Sequence, residues 1–153
     1  MPSRKKTSRN QKLLKKLRKM SFSKQPSEKQ KLCSGQKMTP DYVKDVQEPW
    51  FSLIALGLKT VEGRLNKGSF KDMKVGDTFL WTNEQQGFKR EILTRISRIT
   101  KYTGFEDYLQ TETLPKCLPG ILNIEQGLSV YYKLFLKEDE SRYGVLAIEV
   151  EII

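Results

Sequence analysis

The chain has 153 residues, with 28 Lys and Arg against 18 Asp and Glu, a net charge of +10, and 37% hydrophobic residues. That length fits one domain with a tail, and no apolar stretch approaches the roughly 18 residues that span a bilayer. The sequence has no histidine, which excludes Ser-His-Asp and Cys-His triads, paired-histidine acid–base chemistry and most zinc sites.

The first 44 residues carry 14 Lys and Arg and 2 Asp and Glu, whereas residues 45–153 carry 14 and 16. The excess positive charge therefore belongs to the first third. That third is rich in Ser, Gln and Lys and poor in β-branched and aromatic residues. It cannot bury enough apolar surface to offset its ordering entropy, so residues 1–44 are expected to form a largely disordered basic tail. Within it, NQKLLKKLRKM at 10–20 puts Leu13, Leu14, Leu17 and Met20 on one helical stripe. About three turns are marginal alone, so a short helix there is expected only against an anionic surface or a protein partner. Arg4, Lys5, Lys6, Lys15, Lys16, Arg18 and Lys19 suit nucleic-acid contact or nuclear import. There is no apolar segment of signal-peptide type, and the preference for Lys over Arg argues against a mitochondrial presequence. The two cysteines, Cys33 and Cys117, make neither a metal-ligand spacing nor a disulfide framework. A reducing, intracellular location, nucleus or cytoplasm, is expected, with no metal, no cofactor and no membrane association.

Structure signals begin near Val43. Pro49 followed by WFSLIALG predicts a helix, with Phe51, Ile54 and Leu58 facing a core and Gly57 as its stop. Residues 60–65 predict a strand with Val61 and Leu65 on one face and Glu62 and Arg64 on the other. A turn at 74–77 leads to a strand at 78–82 and, through a polar loop at 83–87, to a second strand at 88–100. There Ile92 and Ile96 share one parity and Leu93 and Ile99 the other, which a bulge or bend would reconcile. Thr103 with Glu106 has the capping-box spacing and predicts a helix over 104–111. Leu118-Pro119-Gly120 reads as a turn. Asn123 with Gln126 predicts a further helix start, with Ile124, Leu128, Tyr131 and Phe135 on one stripe. Residues 144–153 read as a final strand. The fold class expected is α+β, a small, mostly antiparallel β-barrel over 45–153 with flanking short helices.

Residues 57–64, Gly-Leu-Lys-Thr-Val-Glu-Gly-Arg, resemble the G-x-K-x-x-E-x-R signature of the ASCH domain, the family named for homology to activating signal cointegrator 1. Glu48-Pro49-Trp50-Phe51, Lys74-Val75-Gly76-Asp77, Leu118-Pro119-Gly120 and 143–148 (YGVLAI) also look like family segments. The similarity covers about 46–153 and leaves out the basic tail. It implies a PUA-like barrel that binds RNA or nucleotides in a cleft carrying the signature residues. Some members are hydrolases. A compact bacterial member removes the acetyl group of N4-acetylcytidine with a Lys, a Thr and a Glu, and another is described as a ribonuclease. Glu62 stands here where the first of these has its Thr, a departure from the amidohydrolase pattern. For the third catalytic residue, Glu106 and Glu125 are candidates by position alone.

The candidate ligand-binding residues are thus Trp50, Lys59, Glu62 and Arg64, with Lys59 and Glu62 as candidate catalytic groups. Lys59 suits phosphate binding or, if desolvated, a base or nucleophile; its bland reading is an exposed lysine at a helix C-terminus. Glu62 and Arg64 suit a base's exocyclic amine and a phosphate or carbonyl; their bland reading is a surface ion pair. Trp50 and Trp81 have the chemistry to stack on a base, although core packing is the commoner use. Three functions follow. The first is an RNA- or nucleotide-binding module whose tail adds phosphate affinity. The second is a hydrolase on a modified nucleoside or on RNA. The third is a coactivator-type interaction module docked through the tail.

Overall fold

The computed structural model describes residues 38–153. The tail residues named above lie outside this range, as does the short helix expected at 10–20. Five strands make one mixed sheet: β1 (Tyr42–Asp45), β2 (Val61–Leu65), β3 (Thr78–Asn83), β4 (Arg90–Tyr102) and β5 (Val145–Ile152). Their order is β1-β3-β4-β5-β2. β1 runs parallel to β3 and the other three pairings are antiparallel. The sheet curls into a half-barrel with flanking helices. β1 and β2 are its two edges and do not pair with each other, so the expected barrel is open along one seam. The ordered sheet also starts ahead of residue 45, at Tyr42. Asp41 fixes that entry, its carboxylate accepting from Thr78 N and Thr78 Oγ1, each at 2.8 Å.

Side-chain alternation along the strands creates two cores. Inside the half-barrel, Phe51, Ile54, Phe79, Trp81, Ile96, Leu146 and Ile148 pack together. On the other face, Val61, Leu65, Val145 and Ala147 meet Phe105, Tyr108, Leu109 and Tyr131 of the helical layer. β5 feeds both cores, which explains why its first half is apolar at every position. The parity conflict in β4 is resolved by a register shift between Ile96 and Arg98, which lets Ile92, Ile96 and Ile99 all reach the inner core.

The helices are α1 (Trp50–Ala55), α2 (Phe105–Glu112), α3 (Leu114–Cys117), α4 (Ile124–Tyr132) and α5 (Lys137–Tyr143), with a 3-10 turn over Gly68–Asp72. α1 stops as expected, with Gly57 at φ +68°. That turn swings Leu58 outward, and it is 54% exposed, not part of the core face predicted for it. Asn123 caps α4 by accepting from Gln126 N at 2.9 Å. The predicted stripe from Ile124 to Phe135 is shorter as a helix, because α4 ends at Tyr132 and Phe135 lies beyond it.

The capping box at Thr103 does not form. Gly104 holds the N-cap position with no side-chain cap, and Thr103 Oγ1 faces Asp107 Oδ2 at 3.4 Å instead. The donor at Phe105 N is satisfied by Glu140 Oε1 at 2.6 Å, a partner 35 residues away. The other oxygen of Glu140 accepts from Tyr132 Oη at 2.9 Å. This one buried carboxylate thus ties α5 to the starts of α2 and the end of α4.

Candidate functional site

The signature residues lie where α1 gives way to β2, at the open seam of the sheet. The turn at Gly57 points Lys59 inward, and it is 3% exposed, not the exposed lysine of the bland reading. Its ammonium contacts Glu62 Oε2 at 3.0 Å and donates to Val61 O at 3.0 Å and to Cys117 O. Two carbonyls thus accept from the ammonium and the carboxylate supplies its counter-charge. Lys59 also lies 5.8 Å from the centroid of the Trp50 ring, within range of a cation–π interaction.

Glu62 sits between two cations. Burial alone pushes its carboxyl up, but the charges of Lys59 and Arg64 outweigh burial and hold it below the usual carboxylate range. It is therefore an anion with both oxygens engaged. Arg64 Nε lies 2.8 Å from Glu62 Oε1, close enough for strong attraction. The angle is poor for a hydrogen bond, so Nε is a buried donor held by charge attraction, which depends little on angle. The guanidinium stacks over Phe70, 5.4 Å from the ring centroid. Its terminal nitrogens make no hydrogen bond among the described residues, which leaves the fork available to a ligand.

These side chains line one cavity of about 220 Å³, together with Asp45, Val46 and Gln47 from the end of β1 and Gly63, Leu118, Tyr131, Leu134 and Phe135. All four residues expected to bind ligand, Trp50, Lys59, Glu62 and Arg64, are in its wall. Trp50 is half-buried, whereas Trp81 is fully buried, stacked on Phe79 with centroids 4.6 Å apart and donating to Thr94 Oγ1 at 2.9 Å. Trp81 is a core residue. Glu106 and Glu125 are exposed on α2 and α4 and outside the cavity wall.

Sequence reasoning assigned Tyr131 to the core alone. It is buried, and it also faces the cavity. Its hydroxyl lies 3.1 Å from that of Tyr108, and burial first, then the charge of Glu62, pushes its pKa well up, so it stays a neutral phenol. Gly63 was also missed. A Cβ there would come within 2.8 Å of the Tyr108 ring and of Tyr131 Oη. A glycine inside a strand pattern is the signal that marks such close approach. Among the described residues no group of His, Cys, Asp and Glu has the arrangement to hold a metal ion.

The half-barrel and this seam define a known class. The family model of the ASCH domain matches residues 45–153, and the chain belongs to the ASCH domain family, which is generally related to RNA binding. It is similar to the crystal structure of hypothetical protein PH0355, with 32% identity and a TM-score of 0.66 over 73% of this chain and 98% of that one. It is also similar to the solution structure of protein PF0455 from Pyrococcus furiosus, with 34% identity and a TM-score of 0.60 over 73% and 96%. No curated protein matches the chain. No helix among the described residues is long and apolar enough to cross a membrane.

Proposed function

We propose that the protein is an RNA-binding module that holds a single nucleobase or nucleotide in the seam cavity, with the basic tail adding sequence-independent phosphate affinity. The observation that carries this reading is the buried Lys59–Glu62–Arg64 chain, which opens onto the cavity through an uncommitted guanidinium fork and runs beside a half-buried indole. A volume of about 220 Å³ is below the roughly 300–1,000 Å³ of sites for drug-sized ligands. It suits one base, not a run of them. Trp50 supplies the stacking surface and Arg64 the donor for a carbonyl or phosphate. Replacing Trp50 by Ala is expected to remove about 1–3 kcal/mol of stacking, a roughly 5- to 150-fold loss of nucleoside affinity in a calorimetric titration. An unchanged affinity would remove Trp50 from the site.

Binding fits the geometry better than hydrolysis. Lys59 donates to two carbonyls and is paired with Glu62, and Glu62 is stabilised as an anion by two cations, so neither is a ready base or nucleophile. Turnover of N4-acetylcytidine or of a short RNA by the wild type, abolished in a folded Lys59→Ala variant, would replace the binding reading by the hydrolytic one.

The division of labour has its own test. Residues 38–153 carry 15 Lys and Arg against 17 Asp and Glu, so the folded domain has little pull on a long polyanion. Affinity of the full chain for a short RNA is expected to fall steeply with salt, and most of that slope to vanish on deleting residues 1–37. The deletion stops there because β1 begins at Tyr42. PH0355 is matched over 98% of its length, so a chain of this extent folds without such a tail. A truncated protein that kept the full salt slope would refute the tail's role.

A further inference from the structure

Resting on the binding reading, we infer that the backbone of Gly63 reads the hydrogen-bonding edge of the bound base, and that the base is a pyrimidine. β2 is an edge strand paired only with β5. Its register runs from Val61 opposite Glu149 to Leu65 opposite Val145, and Val150 N donates to Thr60 O at 2.9 Å. In an antiparallel ladder residues alternate between exchanging bonds with the partner strand and pointing their polar groups away from it. Thr60, Glu62 and Arg64 therefore face β5, and Val61, Gly63 and Leu65 face the open seam. The contacts of Val61 agree, since its carbonyl is taken by Lys59 Nζ from the seam side.

Along that edge the carbonyls flanking Gly63 are occupied. Val61 O accepts from Lys59 at 3.0 Å and Leu65 O accepts from Lys67 N at 2.7 Å. Gly63 is buried, lines the cavity, and neither its N–H nor its C=O has a partner among the described residues. A buried backbone donor and acceptor left unpaired are costly, and native structures rarely keep them without a use. Adding a peptide strand needs successive free pairs, and here the neighbouring carbonyls are closed. One donor and one acceptor, side by side, suit instead a planar ring with an acceptor next to an N–H.

The neighbours narrow the class. Arg64 adds donors beside the Gly63 N–H, whereas the Gly63 carbonyl is the acceptor, so the wall is richer in donors than in acceptors. The pairing edges of uracil and cytosine each carry two acceptors and one donor, the complement of that wall. Guanine carries one acceptor and two donors, the reverse, and adenine carries one of each, which matches Gly63 but leaves the Arg64 donors without an acceptor. The absence of a Cβ at residue 63 lets Tyr108 and Tyr131 close on the strand from the helical side.

The test is a nitrogen-15 NMR titration of the full chain with uridine, cytidine, guanosine and adenosine, and with 3-methyluridine and N4,N4-dimethylcytidine, whose methyl groups remove the donor. The Gly63 amide proton is expected to move downfield with uridine or cytidine, and the methylated partner of the nucleoside that binds to bind at least tenfold more weakly. A response of the Trp50 indole proton with Gly63 unmoved, or equal affinity for the methylated compound, would overturn the edge assignment and leave the binding reading standing. Stronger binding of guanosine or adenosine than of either pyrimidine would overturn the pyrimidine assignment. A Gly63 response to an extended peptide and to none of the nucleosides would overturn both readings in favour of strand docking.

Discussion

Replacing Glu62 by Ala is expected to cost about 3–5 kcal/mol of stability, the range for breaking a buried ion pair from one side. The cause is the partner left behind. Lys59 is 3% exposed, and without Glu62 its ammonium keeps two backbone carbonyls and no counter-charge, with the Arg64 cation nearby. Urea unfolding measures the loss. A cost below about 1 kcal/mol, the range of surface pairs, would mean that water reaches the triad. The same residue sets a pH dependence. Its folded pKa lies below the ordinary value of 4.5, so the stability it contributes is complete above that value and is lost as pH falls through the folded pKa. Glu62→Gln, which cannot ionise, is expected to be less stable at neutral pH and to show a shallower fall on the acid side. Parallel acid limbs for the two proteins would contradict the depressed pKa.

Phe105→Ala is expected to cost a similar amount, about 3–5 kcal/mol, because it empties a fully buried aromatic position. Phe105 stacks on Tyr131 with centroids 4.3 Å apart and on Phe135 at 5.4 Å, and both of those rings line the cavity. The substitution therefore loosens the cavity wall as well as the core. The milder Phe105→Leu keeps most of the volume and is expected to weaken nucleoside binding more than its loss of stability alone explains. Trp81→Ala offers the comparison. It empties an equally buried site in the inner core, outside the cavity wall, and should unfold the protein at lower urea while leaving the affinity of the folded fraction unchanged. Equal losses of affinity in Phe105→Leu and Trp81→Ala would argue that the helical layer has no special part in the site.

What the sequence made legible is what local patterns encode. Alternation gave the strands, and the parity conflict between Ile92 and Ile99 called for a bulge or bend, which the structure has between Ile96 and Arg98. The spacing of Lys59, Glu62 and Arg64 put an acid and two bases within reach of one another. The features missed depend on partners far away in the chain. α5, of sequence KEDESRY, has no apolar stripe to betray it; it is held partly by Glu140, which accepts from Phe105 N and Tyr132 Oη. That same long-range bond displaced the expected cap at Thr103. The burial of Lys59 follows from Cys117 O, 58 residues on, and no spacing rule reaches that far. The open seam is likewise a property of strand order, with β1 and β2 at opposite edges of one sheet, and strand order is not written in the alternation of any single strand.

The most direct measurement is the titration of the full-length chain with the four ribonucleosides and their 5′-monophosphates, followed by calorimetry and by amide shifts in the wild type and in Arg64→Ala. At least one compound is expected to bind one to one, to move the signals of Trp50, Gly63 and Arg64 together, and to bind at least several-fold more weakly to the variant. If none moves those residues at millimolar concentration, or if binding is indifferent to the loss of the guanidinium, the seam cavity is not a nucleobase site.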